Sequence, residues 1–261
     1  MARVDPAPKG MIKSPEAIDC LRKAGRMLAR TLEVTSQAVV PGISGDELDT
    51  LARRTIIDQG GEPGFLGFEG FPGTICLSVN ERVVHGIPQG QTIRAGDVVS
   101  LDIGVRYKGW NTDAALTVIV PPVASADEEI VKATSDSLAA GIRMVKPGMQ
   151  LGDVQAEIQK VIEDRGYGLV RSLSGHGIGR SLHEAPSIPN YGHAGTGIML
   201  EPGMVFCLEP MLTIGSGKVH THNDGWGVIT HEGGRSAHKE HTVLVTKDGV
   251  EVLTAQPGET F

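Results

Sequence analysis

The 261-residue sequence predicts an α+β fold made of two copies of one helix-helix-strands unit, with curved antiparallel sheet covered by helices. Three observations carry this reading. Helical patterns come first and extended patterns after, and the order occurs twice. "PGISGDEL" at Pro41 resembles "PGMQLGDV" at Pro147, an offset of 106, and "AGDVVSLD" at Ala95 resembles "PGMVFCLE" at Pro202, an offset of 107. The second match ends on Asp102 in one half and Glu209 in the other. Halves related by a pseudo-twofold axis would point these two carboxylates into one cleft.

The elements follow in order. Residues 1–13, with Pro6 and Pro8, read as a loose N-terminal arm, and residues 14–261 as a single domain with halves at about 14–120 and 121–250. Ser14-Pro15-Glu16 is a helix start signal, and Ile18, Leu21, Ala24, Gly25, Leu28 and Leu32 form a helical stripe ending near "VVPG". A second helix follows Gly45 (Leu48, Leu51, Ala52, Ile56) and stops at Gly60-Gly61. After the loop "GEPGFLGFEGFPG", strands are expected at 74–80, 97–105 and 110–120. The second half repeats the series: a helix over 125–145, another through Val154, Ile158 and Ile162 to Gly166, then strands near 168–174, 203–214, 225–230 and 241–246.

Composition excludes several classes. A net charge of -7 argues against a nucleic-acid binder, and five Phe, two Trp and three Tyr are too few for stacking platforms. Cys20, Cys76 and Cys207 show no paired spacing, which fits a reducing compartment. No apolar run approaches the roughly 18 residues of a membrane span, and the N-terminus has no apolar signal region. The expected location is the cytoplasm.

The stretch "LDIGVRYKGWNTDAALTV", residues 101–118, reads as a hairpin. With a four-residue turn at Arg106–Gly109, Asp102 would lie directly across from Asp113, a destabilising pairing of like charges. His85, His176, Glu209 and Glu240 interrupt apolar stretches in the same way. Taken singly, a buried Asp ordinarily caps a turn or pairs with Arg, His176 could be a bonded loop residue, and Glu240 could be solvated. Taken together, four carboxylates need cationic partners, and the nearby bases Arg106, Lys108, Arg171 and Arg180 lie in turns or Gly-rich loops. A pair of divalent cations resolves the account, since one bridging carboxylate serves both ions. Oxygen-rich ligation with one imidazole favours manganese, iron or cobalt over a closed zinc site.

Asp102, Asp113, His176, Glu209 and Glu240, in the contexts "LDIGVRYKGWNTD", "SGHGIGRSLHEAP", "FCLEPM" and "SAHKEHTV", with "SVNERVVHGIP" and "NDGWGV" in register, resemble the methionine aminopeptidases from about Ile12 to Lys247. The resemblance implies the pita-bread fold and a dinuclear centre. Asp102 would chelate one ion, Asp113 and Glu240 would bridge both, and His176 and Glu209 would complete the other. It implies removal of N-terminal methionine from nascent proteins when the second residue is small. Glu209 would shuttle a proton, His183 would hydrogen-bond the substrate carbonyl or tetrahedral intermediate, and His85 would contact the scissile amide. The short span from Glu209 to Glu240 has no room for the helical insertion of type II enzymes, so type I is implied, and with no Cys/His-rich arm before Ile12 the short form without the zinc-binding extension is expected. The implied partners are N-terminal Met peptides and the ribosome that presents them, with no membrane or specific nucleic acid; a monomer is expected.

The family's methionine pocket is often built from two Tyr, a Phe, a Trp and one or two Cys; the matching positions here are Phe68, Phe71, Cys76, Leu182 and Trp226, without the two hydroxyls. His220, His222, His231 and His238 are not family ligands and read as surface residues, with weak adventitious metal binding as the alternative. The sequence's own start, Met1-Ala2, is itself such a substrate, so natively expressed protein should begin at Ala2. Two competitors share the fold. A prolidase or X-Pro aminopeptidase would ordinarily carry an additional N-terminal domain. A non-catalytic binding protein would have no use for the complete ligand set.

Overall fold

The computed structural model describes residues 4–261; Met1 and Ala2, on which the self-processing expectation rests, lie outside the described residues. The segment after them is tied down rather than loose. β1 (Val4–Asp5) pairs in parallel with residues 197–198, Ile12 bridges Met204, and the Lys13 N–H donates to Gly203 O at 2.8 Å. Met11 explains the difference: it is fully buried in the core of the second half, so burial of its thioether holds the arm.

In the first half, α1 (Pro15–Gln37) starts where Ser14 Oγ accepts from the Ala17 N–H and Pro15 takes the first turn. Its stripe buries Leu21, Ala24, Leu28 and Leu32. α2 (Gly45–Asp58) opens on a capping box, Ser44 with Glu47. β2 (Glu62–Pro63), β3 (Ile75–Val79), β4 (Arg82–Val84), β5 (Val98–Tyr107) and β6 (Trp110–Ile119) follow. The second half has α3 (Ser125–Met144) and α4 (Leu151–Asp164), then β7 (Gly168–Leu169), β8 (Ser174–Gly177), β9 (Glu184–Pro189) and β10 (Gly197–Ile198). β11 (Val205–Leu208), β12 (Met211–Thr213), β13 (Val219–Thr221), β14 (Val228–Thr230), β15 (Ser236–His238), β16 (His241–Val245) and β17 (Val250–Val252) complete it. The strand expected over 203–214 is broken at Glu209-Pro210, because proline has no N–H for a continuous ladder.

The duplication in letters is a duplication in space. α2 and α4 are both 14 residues long and both open on capping boxes, Ser44/Glu47 and Gln150/Asp153. Before each helix the chain makes the same contacts. Gly42 N–H donates to Ile93 O and Ser44 bridges Thr92 in one half; Gly148 N–H donates to Leu200 O and Gln150 bridges Met199 in the other. The strands form β2-β5-β3, with β6 on β5, in the first half and β17-β16-β11-β8-β9 in the second. Each half packs helices on one sheet face, giving separate cores around Leu28, Leu48, Leu101 and Ile103, and around Leu138, Ile158, Phe206 and Val243.

Between the halves, β6 meets the segment 238–242 in antiparallel register. Asp113 exchanges bonds with Thr242 Oγ1, the Glu240 N–H donates to Ala115 O at 2.9 Å, and Thr117 Oγ1 donates to His238 O at 2.7 Å. β6 is the second strand of its hairpin with β5, as β16 pairs β11. A twofold axis brings like strands together, and this seam does so.

Candidate metal centre

Strand alternation aims the acidic side chains. On β5, Val99, Leu101, Ile103 and Val105 enter the helix-covered core, so Ser100, Asp102 and Gly104 face the opposite half. On β6, Ala114 and Leu116 enter that core, and Asp113, Ala115 and Thr117 face the seam. In the second half, Phe206, Leu208, Val243 and Val245 face the helices. Val205, Cys207 and Leu244 face the cleft, and Glu209 and Glu240 continue their parity.

The hairpin differs from expectation. Its turn is the two residues Lys108-Gly109, since Tyr107 pairs Trp110, and both turn residues have left-handed φ, 50° and 76°. Such turns match the twist of the strands they join. Asp102 therefore lies opposite Ala115 and Asp113 opposite Gly104. The two aspartates are diagonal neighbours on one face, and carboxylate oxygens of Asp102, Asp113 and Glu240 still come within 4.8 Å of one another.

His176, on β8, completes the cluster. Its Nε2 lies 3.6 Å from Glu209 Oε1 and 3.9 Å from Asp113 Oδ2. His183 stacks edge-on against it, with ring centroids 4.4 Å apart, and against Phe68 at 5.3 Å. The loop carrying His183 is fixed by Asn111, which donates to the carbonyls of Gly179 and Arg180 at 3.0 Å each, and by Glu184, which pairs with the buried Lys13 at 2.8 Å. His85 stands at the mouth with left-handed φ of 58°, a strained conformation of the kind that collects at functional sites.

Burial pushes all four carboxyls up: Asp102 to about 7, and Asp113, Glu209 and Glu240 well above the usual range, with their mutual repulsion adding to burial for the last three. Burial lowers His176 to about 4, with His183 adding to the effect. None of the nearby bases helps. Arg106 pairs with Glu62, Arg171 with Glu163, Arg180 stacks on Trp110, and Lys108 lies over Tyr107. Asp102 Oδ1, Asp113 Oδ1 and Glu240 Oε1 are buried with no hydrogen-bond partner. Acceptor oxygens that are dry, unmatched and converging suit a divalent cation, so the residues fit a metal.

Beside the cluster is a cavity of about 110 Å³ walled by Phe68, Phe71, Cys76, Leu182 and Trp226. Phe71 and Trp226 meet edge to face at 5.2 Å, and burial pushes the Cys76 thiol well up, keeping it protonated and apolar. Phe65, Glu69 and Val84 also line this cavity and were missed from sequence. For Phe65 a signal existed: a side chain on Gly104 would meet its ring at 2.6 Å, and a glycine inside a strand marks such a close approach. A second groove of about 380 Å³ shares His85, His176, His183 and Glu209 with the cavity and runs on past Ser174 and Ser187.

Among the remaining histidines, His220 and His231 are exposed and His222 pairs with Asp224 at 2.9 Å. His238 is not a surface residue. It is 1% exposed, lies 3.9 Å from both Glu209 and Glu240, and burial lowers its pKa to about 3. Its spacing of two from Glu240 was the available signal, since residues i and i+2 of an extended chain share a side.

A duplicated shell closed around buried acidic and imidazole donors defines a metal-dependent hydrolase, and the pattern of metallopeptidase family M24 matches residues 19–247. The chain is 42% identical to methionine aminopeptidase 1 of Bacillus subtilis over 242 residues, covering 93% of this chain and 98% of that one. It is 40% identical to methionine aminopeptidase of Escherichia coli K12, covering 96% of each. The crystal structure of methionine aminopeptidase from Thermotoga maritima superposes with a TM-score of 0.92 at 41% identity, over 94% of this chain and 99% of that one. The prolidase of Pyrococcus furiosus shares the fold, with a TM-score of 0.76 at 24% identity, and only 66% of its length is covered. The chain belongs to metallopeptidase family M24, on its methionine aminopeptidase branch. The pita-bread architecture expected from the sequence is thereby the observed one. Among the described residues no helix is long and apolar enough to cross a membrane.

Proposed function

We propose that this enzyme removes N-terminal methionine from nascent proteins and peptides whose second residue is small. Asp102, Asp113, His176, Glu209 and Glu240 would hold two divalent ions, with cobalt, manganese and iron the candidate metals. The observation that carries the reading is the direct contact between the unmatched acidic cluster and an apolar cavity walled by Phe68, Phe71, Cys76, Leu182 and Trp226. When bound, the ions would supply Lewis acidity to the scissile carbonyl and acidify a water nucleophile.

The chain's own residues do the rest. The cavity takes an unbranched thioether, whose sulfur packs well against aromatic edges. His85, His176, His183 and Glu209 line both this cavity and the second groove, which supports a scissile bond held between them. His183, exposed at the mouth with its ring braced by Phe68 and His176, donates to the carbonyl oxygen as charge develops there. His85 orients the scissile amide from the other side. Glu209 is placed to accept the proton of the attacking water and return it to the departing amine. The chain would meet its substrates as they leave the ribosome, in the cytoplasm, and act as a monomer.

A peptide panel tests the reading. Met-Ala-Ser should be cleaved well, with Met-Lys-Ser and Leu-Ala-Ser cleaved poorly; a branched side chain in a pocket shaped for a linear one is disfavoured by about 1–3 kcal/mol. Comparable cleavage of all three refutes the pocket assignment, and preference for X-Pro peptides would establish the prolidase alternative. His183→Ala is expected to retain its metal, counted by elemental analysis, and to lose about 10²–10³ in kcat. Loss of metal in that variant would make His183 a ligand instead.

A further inference from the structure

Among the described residues, His238 is the histidine whose two ring nitrogens are both buried without a hydrogen-bond partner. A neutral imidazole carries one N–H and one lone pair, and a folded interior ordinarily matches both. Its Nε2 lies 3.9 Å from Glu209 Oε2 and 3.9 Å from Glu240 Oε2. Donor atoms of Glu209, His238 and Glu240 all lie within 4.8 Å of one another. Glu209 is thus flanked on both oxygens by imidazole, with His176 at 3.6 Å from Oε1. Thr117 holds the backbone of residue 238 from the opposite half, its Oγ1 accepting from the His238 N–H at 2.9 Å and donating to the His238 carbonyl at 2.7 Å. The ring's position is therefore set by the seam.

We propose that His238 Nε2 is a further protein ligand of a divalent ion shared with Glu209 and Glu240, giving the centre an imidazole beyond His176. The inference rests on the metal-centre reading above and deepens it. Two metal–donor bonds of about 2.1 Å span up to about 4.2 Å, so the gap is bridged by an ion without moving a strand. A direct hydrogen bond from Nε2–H to either carboxylate is ruled out by the same 3.9 Å. The consequence is selectivity. Imidazole suits cobalt, iron, nickel and zinc, whereas manganese and magnesium prefer oxygen, so His238 biases the site away from manganese.

The test uses the full chain, stripped with chelator and titrated separately with Co(II) and Mn(II) by calorimetry, with ions counted by elemental analysis. His238→Gln should weaken Co(II) binding by about 10–100-fold, the scale seen when partners of metal ligands are removed, and change the visible Co(II) absorption. Mn(II) affinity should move by less than about threefold, as expected when the lost donor is one that manganese disfavours. In the unsubstituted protein loaded with Zn(II), the ¹⁵N resonance of His238 Nε2 should shift to a metal-bound position, which keeps the test decisive if the variant fails to fold. A folded His238→Gln with unchanged Co(II) affinity and spectrum, or a His238 resonance unmoved by metal, overturns the inference. Those results leave the metal centre standing; failure of the unsubstituted protein to bind either ion would overturn both.

Discussion

Asp113→Ala and Glu240→Ala are each expected to reduce cleavage of Met-Ala-Ser by about 10³-fold or more, the loss that follows when several kcal/mol of metal assistance are removed at about 1.4 kcal/mol per tenfold. The two carboxylates face each other across the seam, where the Glu240 N–H donates to Ala115 O and Thr242 Oγ1 is bonded to Asp113. Both contribute to the group of oxygens within 4.8 Å that also includes Asp102. In the proposed assignment both would help hold the ions, so losing either should weaken metal binding. Stability distinguishes this from misfolding. In metal-free protein the acidic groups raise one another's pKa, so deleting one should leave the stripped variant at least as stable as stripped parent. Calorimetric melting of stripped samples and elemental analysis of loaded ones check both halves. A variant that keeps full metal content and activity within tenfold of the parent would remove that residue from the ligand set.

The second large effect is on stability. Chelator-stripped protein is expected to lose thermal stability as pH rises above about 6.5, and metal-loaded protein to be spared. The sign follows from linkage. Burial raises Asp102 from its ordinary 3.8 to about 7 and raises Asp113, Glu209 and Glu240 well above the ordinary range. Below the ordinary histidine value of about 6.5, buried His176 and His238, lowered to about 4 and about 3, work the other way; above it the raised carboxyls alone decide, the folded metal-free state binds more protons than the unfolded chain, and unfolding free energy falls with rising pH. A shift of about three units in one group is worth about 4 kcal/mol, which corresponds to a fall in Tm on the order of 10 °C. Cations replace the protons, and their binding itself strengthens as the carboxyls ionise. The gap in Tm between loaded and stripped protein should thus widen from pH 5 to pH 8. A gap that stays constant across that range would show that the buried acids are neutralised by something other than metal.

Much of the fold and candidate site was legible in the chain because it depends on short-range chemistry. Ser14 and Ser44 announce helix starts because a side-chain oxygen must meet the first free N–H groups. The repeat offset of 106 marked two helices that start 106 residues apart. Asp102, Asp113, Glu209 and Glu240 were conspicuous because ionised side chains in apolar strands are too costly to be accidental in number.

What the sequence by itself determined was the set of elements, their doubled order and the residues whose charge demanded an explanation. Tertiary structure alone decided how these meet. The hairpin turn proved to be Lys108-Gly109 because cross-strand pairing and strand twist, not residue type alone, select among turn lengths that the letters permit. The arm at 4–13 is held because Met11 finds a core built from residues more than 100 positions away. His238 reads as one more polar residue near a loop, and becomes a buried neighbour of two carboxylates only when β6 closes on the segment 238–242. Local pattern fixes which face a side chain takes. Whether that face meets water, hydrocarbon or a second carboxylate depends on the packing of halves that are distant in sequence, and no short-range preference encodes it.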